Sequence, residues 1–244
     1  MITLGLMIIK LWVDLDNLLS WFFLNFFMLK EDSLNKIVEI LKKFPKKWGG
    51  KKAILEMKDN HYNHWKQMEW IGFYFEFLCD KFLDGLVEPH KIKYGRVSFD
   101  GFLDVPFDYK AHAINTESHK VITNGTEEII KAVEEYGYIV DIIALGEVKY
   151  NDVQKTFKTW HDKLKGKISN YEKERIQRGA LSRLRKVDFD LKEIILIKVD
   201  KGFLDKCGSF QENFRNSDRS KRKAKVMVDL SKLKDEDVLA RIEF

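Results

Sequence analysis

Between residues 31 and 43 the apolar positions Leu34, Ile37, Val38 and Leu41 recur at helical spacing, and residues 46–52 break that pattern with Trp48, Gly49 and Gly50. From about 63 to 84 a stripe of Ile71, Phe75, Leu78 and Phe82 is joined by Trp70, Phe73 and Phe77 on other faces, which predicts a helix buried nearly all round. Glu76 falls inside that apolar setting. A buried carboxylate is costly unless it is paired or bound to a cation, so Glu76 is a site candidate. Residues 92–99 and Val105–Ala113 read as two strands of a hairpin joined around 101–104. Thr126–Tyr136 predicts a helix with an N-cap threonine and two glutamates in its first turn, closed by Gly137. Residues 138–145 and 193–199 are nearly unbroken apolar runs, as expected of strands covered on both faces. Residues 156–186 read as one amphipathic helix, and Lys225–Asp229 as a last strand before a terminal helix. No internal repeat interrupts this order, which describes an α/β fold with a mixed β-sheet flanked by helices.

A length of 244 residues suits one domain over 31–244 preceded by an apolar arm at 1–30. With 45% hydrophobic residues and only 3 prolines, wholesale disorder and low-complexity classes are excluded. The 2 cysteines, Cys79 and Cys207, exclude a disulfide framework and a cysteine-rich zinc site, and suit a reducing cytoplasm. A net charge of +5 is mild, but its distribution is not: basic residues bunch at 42–52, 175–186 and 215–225. Such clusters suit a polyanion partner through counterion release, a solvated lysine-rich surface being the alternative. In the amino-terminal arm Lys10, Asp14 and Asp16 leave an uncharged run at 17–29, too short for a bilayer core that needs about 20 apolar residues. No membrane association is expected. The arm reads as a helix docked on the body or at a dimer contact, and amino-terminal sequencing would decide whether translation starts instead at Met28.

The segment 97–113, VSFDGFLDVPFDYKAHA, carries the chemistry. Strand alternation sends Val105, Phe107, Tyr109, Ala111 and Ala113 to a core face and Pro106, Asp108, Lys110 and His112 to the other. In the preceding strand Val97 and Phe99 are core positions, which leaves Asp100 free to approach Asp108 as the hairpin closes. Two carboxylates gathered on one face repel, and a hard divalent cation with oxygen ligands relieves that repulsion. A lysine beside such an ion suits phosphodiester hydrolysis, since it can orient the attacking water and offset developing negative charge.

An acid, a short hairpin, then Asp-x-Lys resembles the signature of the PD-(D/E)xK nuclease superfamily, with Asp100, Asp108 and Lys110 as the matching residues in FDG and DYK. Phe99 stands where that family usually has proline. Glu76, in GFYFEF, matches the glutamate that the family often places on the helix ahead of the hairpin. The resemblance covers roughly 65–150 and implies a restriction-endonuclease-like core, Asp100 and Asp108 as ligands of Mg2+, and catalytic roles for Lys110 and Glu76. Residues 151–244 would then supply DNA-binding and specificity elements. Within the superfamily the chain looks most like a type II restriction endonuclease: a homodimer cleaving double-stranded DNA, accompanied by a DNA methyltransferase. A repair or junction nuclease and a non-catalytic nucleic-acid-binding protein are the alternatives.

Acid-x-Lys also occurs at Glu56–Lys58, Glu147–Lys149 and Asp190–Lys192. Glu147–Lys149 is the serious rival because it closes a buried strand, but it lacks an upstream acid at hairpin distance. Asp104 is an alternative to Asp100, although it should lie in the turn. A solvated Asp–Lys pair on an edge hairpin is the plain structural reading. His112 is placed either to touch phosphate or water or to serve as an ordinary strand residue. His61 and His64 lack carboxylate or cysteine companions and read as capping or surface residues rather than zinc ligands. For DNA contact the candidates are Arg175, Arg178, Arg183, Arg185 and Lys186, following Trp160 and His161, and the basic loop residues Lys221, Arg222 and Lys223.

Overall fold

The computed structural model describes residues 29–94, 97–150, 152–166, 168, 170–211, 220–221 and 223–244. The amino-terminal arm up to residue 28 lies outside the described residues, as do Arg222 and the side chain of Val97. Among the described residues, no helix is long and apolar enough to cross a membrane.

The protein is α/β. Its main sheet has seven strands: β1 (Lys47–Gly49), β2 (Glu88–Pro89), β5 (Gly101–Leu103), β6 (Val105–Ala113), β8 (Ile139–Lys149), β9 (Asp188–Val199) and β12 (Val238–Glu243). Its order is β1-β9-β8-β6-β5-β2, with β12 on β9, and it is mixed because β6 and β8 run parallel while the other pairs are antiparallel. A parallel pair needs a crossover, and α4 (Thr126–Tyr136) supplies it between β6 and β8. A two-stranded ribbon, β3 (Lys93–Tyr94) with β4 (Val97–Ser98), and a three-stranded sheet of β7 (Lys120–Gly125), β10 (Gly208–Gln211) and β11 (Lys225–Asp229) complete the strands.

Helices α1 (Glu31–Leu41), α2 (Gly50–Asp59) and α3 (Trp70–Phe82) cover one face of the main sheet. Ile37, Ile54, Phe75 and Leu78 pack there on Phe107, Val140, Ile142 and Leu196. Complete burial of a side chain such as Phe75 or Phe107 stabilises the fold by about 2–3 kcal/mol. On the opposite face Ile139, Ile143, Ile195 and Ile197 pack on Ile129 and Ala132 of α4, on Phe203 of α7 (Lys201–Cys207), and on Val226 and Val228. Apolar material on both faces is why β8 and β9 read as nearly continuous apolar runs.

Several expected elements differ. The strand expected at 92–99 is divided: residues 93–94 and 97–98 pair with each other, and β6 takes Gly101–Leu103 as its partner instead. Thr126 is the first helical residue of α4 rather than its cap, a place taken by Gly125, while Gly137 closes the helix with a φ of 80°. The single helix expected over 156–186 is two, α5 (Thr156–Lys165) and α6 (Asn170–Gln177), because Gly166 turns left-handed at φ 69° after α5. Residues 178–187 form no regular element. The chain ends not in a helix but in β12, whose Ala240–Glu243 lie against Glu193–Leu196 of β9. Both β1 and α2 arise where the glycines of 46–52 suggested only a break.

Candidate active site

Only three residue pairs join β5 to β6: Gly101 with Phe107, Phe102 with Pro106 and Leu103 with Val105. Asp104 makes the tight turn at φ 60°, so it stands in the turn and away from Asp100. Gly101 has no room for a side chain, since a Cβ there would meet Val87 at 2.5 Å and the Tyr109 hydroxyl. Beyond this short ladder the edge of β6 is open, and the Asp100 carboxylate takes the place of a strand by accepting the Tyr109 amide at 2.7 Å.

Alternation along β6 sends Phe107 and Tyr109 to the α3 face, with the Tyr109 and Phe75 rings 6.5 Å apart edge to face. Asp108 and Lys110 take the other face, and their ion pair closes to 2.6 Å. The same ammonium lies 3.6 Å from Asp100 Oδ2 and donates to the Tyr109 carbonyl at 3.0 Å. Asp100, Asp108 and Lys110 therefore meet around one amine. Phe99 is fully buried in the second core, as its alternation requires.

The electrostatics of this cluster are strained. Asp108 is 1% exposed, and its Oδ2 has no hydrogen-bond donor among the described residues. Burial, helped by Asp100 beside it, pushes its carboxyl up to about 7 against the pull of Lys110. Asp141 stands directly opposite Asp108 in the parallel register of β6 and β8. It is completely buried, with neither oxygen partnered among the described residues, and burial and Asp108 together hold its carboxyl well above the usual range. Lys110 stays protonated because the attraction of Asp108 and Asp100 outweighs its own desolvation.

Sequence reasoning did not single out Asp141. The available signal was one acid inside the apolar run of β8, facing the same side as Asp108.

Glu76 reaches the site from α3 and lines, with Lys110, a cleft of about 550 Å3. Burial raises its carboxyl, while Lys110 and His90 favour the ionised form. The enclosed Tyr62 hydroxyl lies beside it without a well-formed hydrogen bond. Asp80, one turn along α3, is pushed up to about 6 by burial and by Glu76.

Orphaned carboxylate oxygens next to a second carboxylate are what a hard divalent cation satisfies, so the donor set fits Mg2+. Among the described residues no three Asp, Glu, His or Cys side chains are grouped to hold an ion by themselves. Two carboxylates would thus be the protein's share, with water and phosphate oxygens completing the shell, as Mg2+ commonly requires.

The rival patterns lie elsewhere. Glu147 is half-exposed and pairs with Lys192 at 3.5 Å, and Lys192 is in turn 2.8 Å from Asp190. Glu56 of α2 accepts from Tyr74 and Lys81 of α3. His112 contacts the Ser118 carbonyl at 2.8 Å, buried His161 contacts the Trp65 carbonyl at 3.0 Å, and His64 stacks on Phe73. His61 is exposed.

The basic candidates divide. Arg175 holds Glu172 at 2.8 Å and the Ala180 carbonyl, and Lys223 holds Glu128 at 2.8 Å and Glu127 at 3.2 Å, so both serve the fold's own acids. Lys221 lies in a short bridge and Arg178 bonds the Glu174 carbonyl from an exposed position. Arg183, Arg185 and Lys186 line a second cleft, and Lys186 also lines the one that holds Lys110 and Glu76. No protein-family model, curated protein or solved structure matches this chain.

Proposed function

We propose that the protein is a Mg2+-dependent endodeoxyribonuclease that cleaves double-stranded DNA, with a restriction-endonuclease-like core and the action of a type II restriction enzyme. The observation that carries this reading is the Lys110 ammonium held between Asp108 and Asp100 at the open edge of β6, with Glu76 in the same cleft. Asp100 and Asp108 would hold the ion, which supplies a lowered pKa for bound water and charge stabilisation at a phosphoryl oxygen. Lys110 does two things: it orients the attacking water and offsets the charge that grows on the phosphate. Glu76, with its raised carboxyl, would take a proton from that water. Tyr109 fixes the strand beneath them through its buried ring and its latched amide.

Cutting both strands calls for two such sites, hence a homodimer. Incubation of the purified protein with phage DNA, with and without Mg2+, should give discrete fragments only with the metal. Lys110→Ala and Asp108→Ala should bind DNA and leave it intact. Full cleavage by either variant would remove the assignment. Structure-dependent nicking in place of discrete fragments would move the protein to the repair and junction nucleases.

A further inference from the structure

Next to the cleft of Lys110 lies another, of about 630 Å3, reached across Lys186, which belongs to both. Its volume is within the range of sites that enclose a small organic group. Its walls carry two kinds of side chain. Tyr150, Met68 and Leu184 are 44%, 40% and 53% exposed and bring a ring and two apolar side chains to one concave place. Beside them stand Arg183, Arg185 and Lys186, while the one acid of the wall, Glu69, reaches Lys186 at 3.4 Å.

Arg185 adds a second feature to this wall. Its Nη1 is enclosed and has no hydrogen-bond partner among the described residues. A guanidinium nitrogen removed from water without an acceptor is costly, and because Arg185 also lines the cleft, turning its side chain toward an anion with oxygen acceptors would relieve that cost. An aromatic ring and two apolar side chains facing a group of cations is the chemistry that takes a base on its face and its phosphate on its edge.

We propose that this cleft receives one unpaired nucleotide of the DNA substrate, its base against Tyr150, Met68 and Leu184 and its phosphate against Arg185 and Lys186. The inference rests on the nuclease reading for its substrate and deepens it: the DNA would be held with a base out of the stack one step from the scissile phosphate. Leu181, 89% exposed on the same arginine-bearing segment, would be the wedge that fills the gap such a base leaves.

The test measures binding without divalent cation, so that no cleavage interferes. Duplexes that are fully paired, or that carry a single unpaired 2-aminopurine, are titrated with the full-length protein. Roughly tenfold or greater preference for the unpaired site is expected, with a change in 2-aminopurine emission as its base meets Tyr150. Tyr150→Ala should abolish the preference and the emission change, and Arg185→Gln should weaken binding to the unpaired duplex most. Equal affinity for the two duplexes, no binding to either, or an unchanged preference in Tyr150→Ala would overturn the inference. Cleavage of paired DNA with no preference would reject the nucleotide cleft alone. Preference without metal-dependent scission would reject the nuclease reading alone. Tyr150→Phe, which keeps the ring, should retain the preference and separates loss of stacking from loss of fold.

Discussion

In the α5–α6 region Lys158 stands 2.8 Å from Asp162 and 2.7 Å from Glu172, Lys165 stands 2.7 Å from Asp162, and Arg175 holds Glu172 with two nitrogens. Within the main sheet two acids share one lysine beside a third, and Asp108 Oδ2 and both oxygens of Asp141 have no donor among the described residues. The first network lowers its acids: Arg175 and Lys158 hold Glu172 down at about 2. The second raises Asp108 to about 7 and holds Asp141 well above the usual carboxylate range. Charges that fully satisfy each other support the fold and leave nothing for a ligand. Charges buried without partners weaken the fold, and a site that binds a cation is one place where such a cost is retained.

The comparison breaks most visibly in activity. Lys110→Met should lower metal-dependent DNA cleavage by on the order of 1,000-fold or more in a gel assay, whereas Lys158→Met should leave it within about twofold. Comparable losses from both would erase the distinction between the regions.

The next largest effect is on pH. The Asp108 carboxyl is higher folded than unfolded, so its contribution to stability is full below about pH 4 and is lost as pH rises through about 7. Glu172 runs the other way, contributing above about pH 4.5 and losing that contribution as pH falls through about 2. Urea unfolding of cation-free protein should therefore show stability falling by on the order of 2–4 kcal/mol between pH 4 and 8, with Mg2+ reversing the fall. A flat profile over that interval contradicts the burial of an ionising Asp108.

Smaller still is Asp141→Asn, which replaces an unpartnered carboxylate by an amide able to donate to Asp108. It should stabilise the protein by about 1–2 kcal/mol at pH 8 and by nearly nothing at pH 4. Glu172→Gln should do the opposite, costing about 1 kcal/mol at pH 7 and little at pH 2, read from the same urea midpoints. Equal signs for the two substitutions would sink the comparison.

The hairpin was legible because alternation is a local property: the pattern VPFDYK allows one assignment of faces, and Asp108 and Lys110 follow from it. Glu76 was legible as a lone acid in an apolar helix. The end of the preceding strand was not, because β5 is chosen by the fit of Gly101 under Tyr109 and Val87, a tertiary contact. Asp141 escaped notice because its importance comes from register across a parallel pair separated by the whole α4 crossover. The division of 156–186 turned on Gly166, whose left-handed φ outweighs a continuous amphipathic pattern. Arg175 and Lys223 belonged to basic runs, but the acids that claim them are set by how α6 and α4 lie, which charge counting does not see.

The Asp100 latch on the Tyr109 amide spans nine residues of chain, a loop that closes within a fraction of a microsecond at little entropic cost. Asp108 and Asp141 meet only after α4 has carried β8 across. The acids and the amine of the hairpin thus come together while still hydrated, and the penalty for drying them falls on the later docking of β8.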